Sequence, residues 1–133
     1  MPLSEHVIRH RVQFYETDAA GIVHFRWYLC YMEEAEHALW VAAGLDIAPT
    51  SEVTFPRVAV NCEFRRPLRF QDEFDILIRI ASIEERRLSY AFTMTLEGLT
   101  VATGGMTIAC VAPSASPHSI PFPTKLLDRF AVA

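Results

Sequence analysis

Cysteine is scarce and scattered. Cys30, Cys62 and Cys110 are the three in the chain, with no C-x-x-C among them. That argues against zinc and against a disulfide framework, and predicts buried free thiols in a cytoplasmic protein. No apolar run approaches the ~18 residues of a membrane span. The opening MPLSEHVIRH lacks the basic-then-apolar order of a signal peptide. Positive charge is not in excess. The formal net charge of -4 argues against nucleic acid as the main partner, although a local basic patch still admits an acidic small molecule. G-x-S-x-G is absent, and with it the strained serine elbow of many hydrolases. So are G-x-x-x-x-G-K-[ST] and G-x-G-x-x-G, the phosphate-cradling loops. The run EEAEH puts Glu33 and His37 one helical turn apart. It lacks the H-x-x-H skeleton of a zinc helix, so a solvated or intersubunit face is the better reading.

What is present is a full core. The 133 residues are 51% hydrophobic and 21% charged, which predicts one domain over residues 1–133. His6 to Phe14 alternates, with Ile8, Val12 and Phe14 on one face and Arg9, Arg11 and Gln13 on the other, as in a half-buried strand. His10 falls on the apolar face as a satisfied core or interface histidine. From about Arg26 the period lengthens. Tyr28, Tyr31, Met32, Ala35, Leu39 and Ala42 form a stripe, Glu33, Glu36 and His37 fall off it, and Gly44 follows as a stop. Four strand patterns come next. Val58 to Phe64, Phe74 to Ile80 and Leu88 to Leu96 alternate, and a turn at Glu97-Gly98 leads into Val101 to Val111. Pro113 to Pro123 reads as a loop, followed by a short helix from Thr124 to Phe130. One helix covers only one sheet face, so a homodimer at least is expected.

The stretch VQFYETDAAGIVHFRWY carries the chemistry. Asp18 ends a strand, a small-residue turn follows, and the helix begins. The first turn of a helix has N–H groups without partners and the positive end of a dipole, which suits a carbonyl oxygen. A carboxylate just upstream can attack that carbonyl or deprotonate a water. Asp is equally common as a plain turn or cap residue, so physics alone leaves both readings open.

T-D-A-A-G-I-V-H-F, with a strand before it and an aromatic-rich helix after it, resembles the hotdog-fold thioesterases of the 4-hydroxybenzoyl-CoA thioesterase type. The resemblance runs over nearly the whole chain and includes Glu85-Arg86-Arg87-Leu88-Ser89. It implies an α+β hotdog fold, one long central helix wrapped by a five-stranded antiparallel sheet, and hydrolysis of an acyl-CoA thioester without metal or redox cofactor. Asp18 becomes nucleophile or general base. Backbone after Gly21, around His24 and Phe25, polarises the thioester carbonyl, and Arg86, Arg87 and Ser89 meet the phosphates of coenzyme A near the subunit interface of a homodimer or dimer of dimers. Arg86 and Arg87 also admit a plainer reading, a solvated strand end paired with Glu84 or Glu85. His24 sits one position earlier than the histidine of the branch acting on short aliphatic acyl-CoA, with Phe25 in its place, and Tyr15 is one step closer to the acid. The D-A-A-G-I-V wording is closer to branches acting on aromatic acyl-CoA, including dihydroxynaphthoyl-CoA. Trp27, Tyr28 and Phe55 are then candidate pocket walls, or else core or dimer contacts. Rival readings are a thioesterase for acyl carrier protein, with Arg65, Arg66 and Arg69 as its basic patch, a non-catalytic acyl-CoA-binding hotdog domain and, more weakly, a hydratase.

Overall fold

The computed structural model describes residues 1–46, 53–112 and 116–133. Strand β1 (Glu5–Arg11) leads through a 3-10 turn (Phe14–Glu16) to helix α1 (Arg26–Ala42). Strands β2 (Arg57–Phe64), β3 (Glu73–Ile83), β4 (Arg87–Leu96) and β5 (Leu99–Ala109) follow. A small ladder, β6 (Val111–Ala112) with β7 (His118–Ser119), and a short helix α2 (Thr124–Leu127) complete the chain. The five long strands form one antiparallel sheet in the order β1-β3-β4-β5-β2. This is the α+β architecture expected, with α1 lying across one face.

The alternation in β3 and β4 is obeyed. Phe74, Ile76, Ile78 and Ile80, then Leu88, Tyr90, Phe92 and Met94, are all buried beneath α1. Each such side chain contributes on the order of 2 kcal/mol through lost apolar exposure. The β4–β5 hairpin turns on Glu97 and Gly98, both at positive φ, as a tight two-residue connection requires. Gly44, at φ +77, ends α1 as the sequence suggests.

Several expectations shift. Phe14 does not continue the β1 face, because the chain curls into the 3-10 turn and leaves Phe14 73% exposed against Phe70. On α1, Ala42 is exposed, whereas Glu36 and Trp40 are buried. Glu36 goes inside because Arg57 pairs with it and Tyr90 lies beside it; burial pushes its carboxyl up and these partners partly offset that. Of the thiols only Cys110 is buried; Cys30 on α1 is exposed. The face carrying Val58, Val60 and Phe64 stays about half exposed because β2 is a sheet edge with nothing over it in the single chain. In the tail, Pro113 lies outside the described residues, and β7 occupies part of the expected loop. The last helix stops at Leu127, short of Phe130.

Helix and sheet pack closely at Gly104. A methyl group there would meet the Met32 side chain and sit 2.6 Å from the Asn61 carbonyl oxygen. The neighbouring backbone cannot yield as a flexible side chain does. Gly104→Ala is therefore expected to cost about 1–3 kcal/mol in denaturant unfolding. A loss below about 0.5 kcal/mol would show that β2 moves aside freely.

Candidate active site

Asp18 stands at the head of a tight reversal. Its N–H donates to the Ile22 carbonyl at 3.0 Å, and the Gly21 N–H donates to the Asp18 carbonyl at 2.9 Å. Thr17 bridges Val23 across the reversal. Gly21 lies at φ +78, and a Cβ built there meets nothing within 4 Å. The glycine serves the backbone angle, not a close approach by a neighbour. One carboxylate oxygen of Asp18, Oδ1, accepts from the Ala20 N–H at 2.8 Å. The other has no hydrogen-bond partner among the described residues.

The reversal is fixed from behind by Glu16, which is only 3% exposed. Its carboxylate accepts from His10 Nε2 at 3.0 Å, from the Gln13 N–H at 2.9 Å and from the Tyr31 hydroxyl at 3.0 Å. His10 Nδ1 lies 3.3 Å from Glu34 on α1. His10 is thus satisfied, and one buried acid ties β1, the 3-10 turn and α1 together just before Asp18.

The helix start is more selective than the sequence suggests. The His24 N–H already donates to the Glu16 carbonyl, and the Arg26 N–H donates to His24 Nδ1. His24 acts as a cap, and among the described residues the Phe25 N–H is left without a partner beside these two. No side chain caps α1 at Phe25.

A cavity of about 480 Å³ opens beside Asp18. Ile22, Val23, Phe25, Tyr28 and Phe64 form its apolar wall, and Arg65 and Arg66 stand at the strand end. Burial pushes the Tyr28 hydroxyl up to about 12, so it holds its proton at neutral pH and is available to donate. Of the residues picked from sequence, Asp18, Phe25 and Tyr28 line this cavity; Gly21, His24 and Trp27 do not. Trp27 packs edge-on to Tyr15 under the Arg26 guanidinium. Phe55 is remote. It packs on Trp40 and Phe122 and borders a notch of about 50 Å³ beside Glu36 and Arg57, which has room only for water.

A second cavity, of about 420 Å³, is lined by Arg86 and Arg87 together with Glu84, Val58, His118 and Ser119. Arg86 donates to the Ser119 carbonyl at 2.6 Å. Neither arginine forms an ion pair with Glu84 or Glu85. Ser89 is not part of this cavity; its hydroxyl pairs across strands with Thr107 at 2.8 Å. Among the described residues no cluster of three metal-ligating side chains occurs, and no helix is long and apolar enough to cross a membrane.

The family model of the thioesterase-like superfamily matches residues 12–130. The chain belongs to that superfamily. A 1,4-dihydroxy-2-naphthoyl-CoA hydrolase of Synechococcus sp. (strain CC9311) is 32% identical over 116 residues, covering 78% of this chain and 76% of the relative. Among solved structures, a gentisyl-coenzyme A thioesterase superposes with a TM-score of 0.83 at 29% identity, over 95% of this chain and 100% of that one. A 4-hydroxybenzoyl-CoA thioesterase, solved as an aspartate-to-asparagine variant with 4-hydroxybenzoyl-CoA, gives 0.84 over 97% of this chain and 100% of that one. Its 16% identity speaks to the fold alone. The fold is the hotdog fold, and the chain stands among the thioester hydrolases.

Proposed function

We propose that the chain hydrolyses acyl-CoA thioesters, aromatic ones among them, at the Asp18 cavity. The observation that carries this reading is that Asp18, with one carboxylate oxygen unpartnered, and Phe25, with its helix-start N–H unpartnered, line one largely apolar cavity. The thioester carbonyl oxygen accepts from the Phe25 N–H and the Tyr28 hydroxyl, which stabilises the charge that develops there. Asp18 then attacks the carbonyl carbon and expels the CoA thiolate, leaving an anhydride for water to open. Alternatively it takes a proton from the water that attacks. Both routes end in a free acid and coenzyme A. The test is release of coenzyme A from short, long and aromatic esters, read after protein removal because exposed Cys30 reacts with thiol reagents. No turnover of any ester would refute the reading in favour of a carrier-protein thioesterase or a binding domain.

The phosphates of coenzyme A fit the Arg86–Arg87 cavity, since guanidinium forks suit phosphate. The two cavities lie at opposite ends of the exposed edge strand β2, one by Phe64 and one by Val58. An edge strand carries unpaired N–H and C=O groups that a second copy can pair. Antiparallel pairing of two β2 strands about a two-fold axis sets the Phe64 end of one copy beside the Val58 end of the other. Each active site then joins Asp18 of one copy to the arginines of its partner. Arg86→Ala with Arg87→Ala is expected to raise KM for CoA esters about 10-fold or more with a smaller change in kcat. Mixing and re-forming dimers from that variant and from Asp18→Asn is expected to restore about a quarter of wild-type kcat/KM, read at substrate well below KM, because half the dimers carry one intact site of two. A kcat/KM no higher than the average of the two variants would place both groups of residues within one copy.

A further inference from the structure

The chain leaves β2 through a bulge. The N–H groups of Arg65 and Arg66 both donate to the Val101 carbonyl, at 2.8 and 3.1 Å. In a regular strand, consecutive side chains point to opposite faces. A bulge sets two residues against one and re-aims a side chain. Here Phe64, Arg65 and Arg66 are consecutive, yet all three line the Asp18 cavity. Pro67 follows and, having no N–H, helps end the ladder. Arg65 and Arg66, both exposed, therefore border a cavity whose remaining wall is apolar apart from Asp18 and Tyr28. Neither makes an ion pair among the described residues, with Asp18 or with any other acid.

Two cations on consecutive residues beside a largely apolar wall favour an anion brought by the ligand. We propose that Arg65 and Arg66 select acyl groups that carry a carboxylate of their own on an aromatic or hydrocarbon body. This rests on the thioesterase reading and narrows its substrate class. The aromatic wall of Phe25, Tyr28 and Phe64 holds the body, and the guanidinium forks take the carboxylate. The phosphates of coenzyme A already have Arg86 and Arg87.

The experiment compares benzoyl-CoA with 3- and 4-carboxybenzoyl-CoA on the wild type and on the Arg65→Ala, Arg66→Ala double variant. The wild type is expected to prefer at least one carboxylated ester by about 10- to 100-fold in kcat/KM, with the double variant bringing that ratio near 1. Two kinetic results overturn the proposal. One is a wild type with no preference. The other is a double variant that loses activity on all three esters equally, which assigns the guanidiniums to the phosphates of coenzyme A. The thioethers phenacyl-CoA and 3- and 4-carboxyphenacyl-CoA cannot be hydrolysed, and their relative affinities by calorimetry read the same selectivity without turnover. Absence of hydrolysis thus defeats only the thioesterase reading, and the binding ratio still decides this one. Preferential capture of an acidic carrier protein, with no carboxylate preference in either assay, also overturns it.

Discussion

Asp18→Asn lowers turnover of acyl-CoA by about 100-fold or more, with unfolding midpoint and oligomeric state unchanged. The size follows from the role. Asn is close to isosteric and can still accept from the Ala20 N–H through its amide oxygen, so the reversal is kept. It neither attacks a carbonyl nor accepts a proton from water. The remaining rate comes from polarisation by the Phe25 N–H and the Tyr28 hydroxyl, which the substitution leaves in place. Because Asp18 is exposed and makes one local side-chain bond, the fold draws little from it. Single-turnover hydrolysis in oxygen-18 water tests the direct route. Label entering Asp18 itself marks direct attack with the anhydride opened at Asp18, whereas label in the product alone fits a general base or an anhydride opened at the acyl carbon. Turnover within about threefold of wild type would return Asp18 to the status of a turn residue.

Glu16→Ala destabilises the protein by about 3–5 kcal/mol, a large share of the 5–15 kcal/mol typical of a domain. The carboxylate serves three donors from three segments at a buried position. Its removal leaves the Tyr31 hydroxyl and one His10 nitrogen without their acceptor, and each unsatisfied group costs its own desolvation. Glu16→Gln is milder, because one oxygen remains for Gln13 and Tyr31 while the amide N–H faces His10. The loss is read from denaturant midpoints at constant slope. A cost below about 0.5 kcal/mol for Glu16→Ala would mean that the network is incidental. A catalytic consequence follows as well. The Glu16 carbonyl holds the His24 N–H, so loosening the 3-10 turn disturbs both Asp18 and the helix start. The milder variant is therefore expected to lose turnover while still folded.

The contrast between these two acids shows what a sequence reveals. The turn at Asp18 is legible because its context is local: small residues and then a helix follow within a dozen positions, although a 3-10 turn and not the expected strand leads into it. Glu16 is two residues away in the same stretch, yet its burial depends on His10 across the chain reversal and Tyr31 on α1. Periodicity found α1 and the buried faces of β3 and β4, because those depend on neighbours three, four or two residues apart. It misplaced Glu36, whose burial depends on Arg57 and Tyr90 from other strands. It also could not show that β2 lies at the sheet edge, since alternation is the same in edge and central strands. Phe64 escaped notice as a cavity wall for a related reason. The strand-end bulge that sets Arg65 and Arg66 side by side on the border of the Asp18 cavity leaves no periodic signal at all. His24 invited a role in the substrate cavity by its place in the motif. Its ring and N–H turn out to be engaged in starting the helix.

The most direct test of the account is the structure of the Asp18→Asn variant bound to an uncleaved aromatic acyl-CoA. The account predicts the thioester carbon within about 3.5 Å of the residue 18 side chain. It also places the carbonyl oxygen on the Phe25 N–H, and the phosphates on Arg86 and Arg87 of the partner copy. An acyl group seated away from that cavity, or a carbonyl oxygen with no contact to the Phe25 N–H, would contradict it.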